Sequence, residues 1–217
     1  MQAEFIYAPP NGPLEVLHRD DDLLVLNKPS GLLSVPGKAT EHADCLEHRA
    51  KAAFPGALLV HRLDMDTSGV MIFARNKAAQ RHLGLQFERR HVEKTYEALV
   101  WGQPESTGEV DLPLMVDWPN RPLQKVDHIT GKQAQTRWAV LARDTSHTRL
   151  QLMPKTGRSQ QLRVHMLAIG HPILGDRFYA KGPALAAAPR LCLHAKQLEI
   201  YHPSGGARVT FEASCPF

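Results

Sequence analysis

The densest run of side chains able to do chemistry is His61-Arg62-Leu63-Asp64-Met65-Asp66-Thr67-Ser68-Gly69. Apolar segments flank it, so its carboxylates are presented on a loop between rigid neighbours. Arg62 and Asp64 are two residues apart. In an extended chain they share a face and Leu63 points to the other. A guanidinium beside a carboxylate favours the ionised form, which suits Asp64 to act as a nucleophile or local base and not as an acid. The same residues also read as a turn held by an ordinary Arg–Asp pair. A metal reading draws on His61, Asp64 and Asp66. The chain has no H-E-x-x-H and no other zinc spacing, and His165 and His171 straddle a predicted helix end, so no metal is expected. Ser68 lies in T-S-G-V, outside the G-x-S-x-G elbow of serine nucleophiles.

A second cluster is Thr156-Gly157-Arg158-Ser159-Gln160-Gln161-Leu162-Arg163. It leads into a predicted helix start, whose free N–H groups attract anions. Arg158 and Arg163 add fixed positive charge there, for a phosphate or for a partner carboxylate such as Asp64; the plainer alternative is a capped helix with surface arginines. Tyr96, in Lys94-Thr95-Tyr96, offers a flat face for stacking on a nucleobase, although half-buried tyrosines are common. The stretch WPNRPLQK (118–125), with Arg121, reads as an RNA contact or simply as a stiff loop.

These groups need elements to hold them. Apolar runs at 14–18 and 23–27 flank Asp20-Asp21-Asp22 and predict a hairpin, followed by a Pro/Gly-rich loop over 27–38. Residues 41–53 read as a weakly amphipathic helix, and 58–62 and 69–74 as strands. Asn76 is the expected cap of a helix over 77–90, with Leu83 and Phe87 four residues apart on one face. Strands are expected at 94–102, 109–114, 123–128, 134–143 and 148–153. A helix follows over 156–170, with Ser159 as N-cap and Gly170 as its stop. Two further strands, 197–202 and 207–212, flank a Pro-Ser-Gly-Gly turn, and 180–189 reads as a surface loop or short helix. Strands dominate and helices do not alternate with them, which predicts one α+β domain on a mixed sheet.

The 217 residues are 43% hydrophobic and 22% charged, as in ordinary globular chains. Cys45, Cys192 and Cys215 lie far apart, with no C-x-x-C, which argues for free thiols in a reducing cytoplasm. The first residues lack the basic end and apolar core of a signal peptide, and the apolar runs are far too short to span a bilayer. Charge is uneven. Residues 1–60 carry five basic and eight acidic side chains, whereas 119–163 carry nine basic and two acidic ones. Such a strip suits a polyanion, nucleic acid being the default partner, unless folding balances it.

Taken together, the motifs resemble a known family. HRLDMDTSG (61–69) resembles the H-R-L-D-x-x-T-S-G signature of the RluA family of pseudouridine synthases. NKPSGLLSVPG (27–37), KTYEALVWG (94–102), TGRSQQLRVHML (156–167) and GHPILGDRFY (170–179) follow in that family's order and spacing. The chain is most like its short, dual-specificity members. The resemblance implies an N-terminal extension over 1–13 and a catalytic domain over 14–217, without an S4-type domain. Its fold would be a mixed, mainly antiparallel sheet flanked by helices and loops, with a central RNA-binding cleft. It implies isomerisation of uridine within RNA, at uridine 746 of 23S rRNA and uridine 32 of tRNA anticodon loops, by a monomer in the cytoplasm with no cofactor and no metal. Asp64 matches the essential aspartate. Arg62 matches the arginine beside it, which would fill the space left by the extruded base. Arg163 matches the basic residue that pairs the aspartate, and Tyr96 the tyrosine that stacks on uracil. Leu162 would form an apolar floor, with Thr67, Arg158, Lys155 and Arg121 on the substrate-binding surface. Gln160 departs from the family pattern, which usually has histidine there. Other readings are a pseudouridine synthase of another RNA site, a non-catalytic RNA-binding module and a metal-dependent nucleic-acid hydrolase.

Overall fold

A computed structural model describes residues 6–217. In chain order its elements are β1 (Glu15–Arg19), β2 (Leu23–Lys28), α1 (Leu46–Ala53), β3 (Leu58–Leu59), β4 (Ser68–Ala74), α2 (Lys77–Glu88), β5 (Glu93–Trp101), β6 (Thr107–Asp111), β7 (Leu114–Val116), β8 (Gln124–Val126), β9 (Gln135–Arg143), β10 (His147–Pro154), α3 (Gln161–Ala168), α4 (Gly182–Ala186), β11 (Leu193–Tyr201) and β12 (Arg208–Glu212). The class is α+β. One ten-stranded sheet runs β1-β2-β4-β11-β5-β10-β9-β6, with β12 added to β11 and β3 to β4. All its named pairs are antiparallel except β4–β11, where Ser68 faces His194 and Gly69 faces Ala195. Strands β7 and β8 form a separate ribbon.

The burial pattern of each strand tells where it lies. Leu23-Leu24-Val25-Leu26 and all of β4 are buried, as expected for strands covered on both faces. Leu23 and Val25 join α2 through Ala79 and Leu83, whereas Leu24 and Leu26 join α1 through Leu46 and Ala50. The side chains of β10 alternate between half-buried and buried positions, and Leu150 and Leu152 pack under Leu162 and Met166 of α3. The half of the sheet that carries β4 thus meets the half that carries β10 across β11 and β5.

The predicted hairpin forms, its turn closed by Asp20, whose Oδ1 accepts from the backbone of Asp22 and Leu23, each at 2.8 Å. Asn76 caps α2 by accepting from Ala79 N at 2.8 Å. Two helices start later than the sequence suggests. Residues 40–42 make a single 3₁₀ turn, and α1 begins only after Cys45, whose Sγ accepts from His48 N. In 156–160 the backbone is not helical and Ser159 is not the cap. Gln160 takes that place in the left-handed region, at φ 52°. The reason is Gln161: its Oε1 accepts from Thr156 Oγ1 (2.7 Å) and Arg158 N (3.0 Å), and its Nε2 donates to Gln135 O and Thr136 Oγ1, both at 3.0 Å. This buried amide ties the segment to β9 in a non-helical path. Gly170, at φ 83°, follows the helix end as predicted. The stretch over 180–189 contains a short helix, α4. Part of the segment ahead of β1 is strapped down: Tyr7 donates to Asp44 O, and Arg49 to Pro10 O. Among the described residues no helix is long and apolar enough to cross a membrane.

Candidate active site

The loop between β3 and β4 is held from below by the Pro/Gly-rich loop after β2. Lys28, fully buried, donates to the carbonyls of Leu32 (2.6 Å), Met65 (2.8 Å) and Pro29 (3.0 Å). Ser34 Oγ donates to Leu63 O and accepts from Leu63 N, Gly31 N donates to Met65 O, and Ser30 Oγ donates to Asp66 O. Thr67 N closes the turn onto Asp64 O at 3.2 Å. Leu63 is buried in the core under α1. Burial pulls Lys28 down to about 7, against the charges of Asp66 and Asp64. Two loops with two sets of interlocking bonds thus present one carboxylate at the surface of a rigid base.

That carboxylate, Asp64, retains 30% exposure and accepts from Arg163 Nη1 at 3.2 Å. Arg163 projects from α3 and is 2% exposed. Its Nε and Nη2 are taken by the fully buried Asp176, at 2.8 and 2.6 Å. Asp176 Oδ1 is itself oriented by the backbone N–H groups of Phe178 and Tyr179, and the Arg163 guanidinium lies over both those rings, 4.8 and 5.2 Å from their centroids. Burial opposes the Arg163 charge, but its bonds to Asp176 and the two carboxylate charges more than offset that and hold it above the ordinary arginine range. Two carboxylates around one guanidinium leave a net negative charge, and the exposed partner, Asp64, faces the cavity.

The expected Arg62–Asp64 pair is not formed. Arg62 is exposed and has no carboxylate within 4 Å among the described residues. Alternation does put both on the outer side of Leu63, but a guanidinium already fixed by Asp176 is the better-placed partner for Asp64. The three donors of the metal reading also diverge. His61 stacks on Phe87 and accepts from Ile72 N, Asp66 pairs with Arg177 at 3.0 Å, and Asp64 faces Arg163. Burial, then the charge of Lys94, lowers His61 to about 3, so the ring is neutral.

Asp64 opens into a cavity of about 240 Å³ that also takes in Arg62, Thr67, Tyr96, Arg158, Leu162 and Arg163. This is below the roughly 300–1,000 Å³ typical of sites for drug-sized ligands and suits a single base. Burial, then the Asp64 charge, pushes the Tyr96 phenol above its ordinary range, and its hydroxyl makes no hydrogen bond among the described residues. Two candidates lie outside the cavity. Lys155 is exposed between the lining residues Pro154 and Thr156, and Arg121 stacks on the exposed Trp118, 4.4 Å from the ring centroid. Of the nine basic residues in 119–163, Lys125, Arg137, Arg149 and Arg163 have carboxylate partners. Arg121, Lys132, Arg143, Lys155 and Arg158 have none within 4 Å among the described residues, so folding balances only part of the strip.

Sequence reasoning gave no role to three groups of this site. Asp176 sits in GHPILGDRFY, where nothing local marks it as the partner of Arg163. Lys94 lines the cavity and donates to Thr156 O at 3.2 Å; burial, then the charge of Arg90, lowers it to about 8. Tyr179 donates to Gln160 Oε1 and accepts from Gln124 N at 2.9 Å, linking the start of α3 to β8.

Residues 22–168 match the family model for RNA pseudouridylate synthases. The chain is 56% identical over 214 residues to the dual-specificity RNA pseudouridine synthase RluA of Escherichia coli K12, covering 97% of this chain and 98% of that one. It is 51% identical over the same shares to RluA of Haemophilus influenzae. Among solved structures, the human RNA pseudouridylate synthase domain containing 1 protein superposes with a TM-score of 0.78 at 29% identity, over 97% of this chain and 87% of that one. With the sheet, the paired aspartate and the motifs in register, the chain belongs to the RNA pseudouridylate synthase family.

Proposed function

We propose that the protein converts uridine to pseudouridine at two kinds of site, one in 23S rRNA (uridine 746) and one in the tRNA anticodon loop (uridine 32). The relatives named as dual-specificity enzymes support the pair of substrates. The observation that carries the reading is one partly exposed carboxylate, Asp64, gripped by a buried arginine and lining a base-sized cavity together with Tyr96.

The target uridine leaves its loop and enters the cavity. Flipping costs a few kcal/mol, least where the base is already unpaired. Tyr96 stacks on the uracil and Leu162 forms the apolar floor. Asp64 meets the ribose in its ionised form, either attacking C1′ or taking the proton from C2′. Either route breaks the N1–C1′ bond; the uracil turns and C5 bonds to C1′. That step releases the Asp64 carboxylate in the first route and is matched by return of the proton to C2′ in the second, while the proton lost from C5 is balanced by one gained at N1. Atoms and electrons balance within the nucleotide, so no cofactor is consumed. Arg163 holds Asp64 in place, and Thr67 borders the cavity beside it. Arg62, exposed and without an ionic partner, fills the place left by the base. Arg158, Lys155 and Arg121 meet backbone phosphates, which supply position more than sequence. One chain provides both Asp64 and Arg163, so a monomer suffices, and three free thiols suit the reducing cytoplasm.

The test is to incubate unmodified 23S fragment and tRNA transcripts with the protein in the presence of EDTA and map pseudouridine. New pseudouridine at both positions supports the reading. Product at neither position overturns it, cleaved RNA points to a hydrolase, and RNA bound without change points to a binding module.

A further inference from the structure

Behind the Asp64 loop lies a second, larger cavity of about 820 Å³ that the proposed reaction does not use. Strand alternation separates the two. Thr67 and Leu193 line the catalytic cavity, whereas the residues that follow them, Ser68 and His194, line the second. Ser68 and His194 are themselves register partners across β4 and β11.

This cavity contains a guanidinium that folding leaves without a paired carboxylate, since Asp66 on the same wall pairs with Arg177 and acts on it only from a longer distance. Arg190 is half-buried, and no carboxylate lies within 4 Å of it among the described residues. The direction of each hydrogen bond that fixes it can be read. The Ala213 carbonyl, 3.2 Å from His194 Nε2, can only accept, so Nε2 carries the hydrogen. Burial lowers His194 below its ordinary range and keeps the ring neutral, so Nδ1 accepts, from the Ser68 hydroxyl at 2.9 Å. Ser68 Oγ in turn accepts from Arg190 Nη2 at 2.7 Å. Arg190 Nε donates to Leu191 O, and the Phe217 ring lies 5.5 Å from Cζ. Nη1 makes no hydrogen bond among the described residues. The other charges on the cavity wall are engaged: Lys28 by three carbonyls, Arg49 by Asp44 and Pro10 O, Arg177 by Asp66, and Glu15 by Asn27.

A desolvated, rigidly held arginine with free donors is matched by an oxyanion that accepts from its planar fork. We propose that this cavity is a phosphate-binding site, and that it takes a backbone phosphodiester of the RNA whose uridine enters the catalytic cavity. The proposal rests on the RNA reading above and gives that RNA a second anchor on the far side of the Asp64 loop.

Two measurements test it. In the first, arginine modification by phenylglyoxal is mapped by peptide mass spectrometry on the wild-type protein alone, with substrate transcript and with inorganic phosphate. Protection of Arg190 by the transcript supports the proposal. Protection by phosphate alone shows that the site takes free phosphate and overturns the RNA assignment. Protection by neither overturns the site. In the second, RNA affinity of Arg190→Gln is followed against salt. Affinity should fall about tenfold at low salt, and the slope of log K against log salt should shrink by about 0.7; an unchanged slope contradicts an RNA contact. If Arg190→Gln does not fold, the wild-type protection result decides alone. Pseudouridine formation by the wild type is measured alongside, so failure of the underlying reading is seen separately.

Discussion

Replacing Asp176 with asparagine removes one charge and almost no volume from the centre of the site. Asp176 is fully buried and takes two of the three guanidinium nitrogens of Arg163, which is itself 2% exposed. Breaking one side of a buried pair costs roughly 3–5 kcal/mol, because the remaining charge stays desolvated. With its Oδ1 still accepting from the Phe178 and Tyr179 N–H groups, asparagine sets its amide N–H donors against Arg163 Nε, which now donates to Oδ2. Because Asp64 still pairs the guanidinium, the lower end applies, about 3 kcal/mol. For a chain of this length that lowers the melting temperature by about 6–12 °C. Arg163 would also swing toward Asp64, its one remaining carboxylate, tightening a contact now at 3.2 Å. Turnover, assayed well below the new melting point, should fall about tenfold or more, since small misplacements of reacting groups carry such costs. A double-mutant cycle with Arg163→Met separates pairing from packing. The double variant should be more stable than the sum of the single losses by about 1–3 kcal/mol. Wild-type melting and turnover in Asp176→Asn, or strict additivity in the cycle, would show that Asp176 does not position Arg163.

Further expectations concern the cavity and its base. Lys94, lowered to about 8 by burial and then by Arg90, is charged below that pH and neutral above it. RNA affinity should therefore weaken as pH rises from 7 to 9, and Lys94→Met should flatten the profile in a binding titration. Its sign in folding is opposite: the unfolded chain holds that proton up to the ordinary value of 10.5, so this group's contribution to stability rises with pH between about 8 and 10.5. Lys28→Met removes the clamp on three carbonyls and should cost about 2–3 kcal/mol in urea unfolding, with kcat falling more than KM rises. Gly69→Ala should abolish soluble expression. At φ 115° its new Cβ would lie 2.2 Å from Ala195 O in the neighbouring strand, and the cost should exceed about 3 kcal/mol.

What was legible in the sequence was what is local. The Asn76 cap, the Asp20 hairpin and the alternation that buries Leu63 all depend on residues within a few positions of one another. The Arg62–Asp64 pair failed on the same ground, since the partner that wins is 99 residues away. The pairing of Arg163 with Asp64 stood as one of two options from charge alone, beside a phosphate, and the family motifs selected it; Asp176 was not anticipated at all, because what makes it important is a neighbour on another element. The expected Ser159 cap gave way to Gln161, whose amide reaches strand β9. The basic strip was half informative: composition counts charges, but only the folded chain shows which ones keep no partner.

In the proposed reaction Asp64 does the chemistry while other groups hold the RNA. Asp64→Asn separates the two roles, with pseudouridine formation under single-turnover conditions and RNA affinity measured on the same preparation. The expected result is no detectable pseudouridine and an affinity within a few-fold of wild type. Turnover within about tenfold of wild type, or loss of product explained entirely by loss of binding, would contradict it.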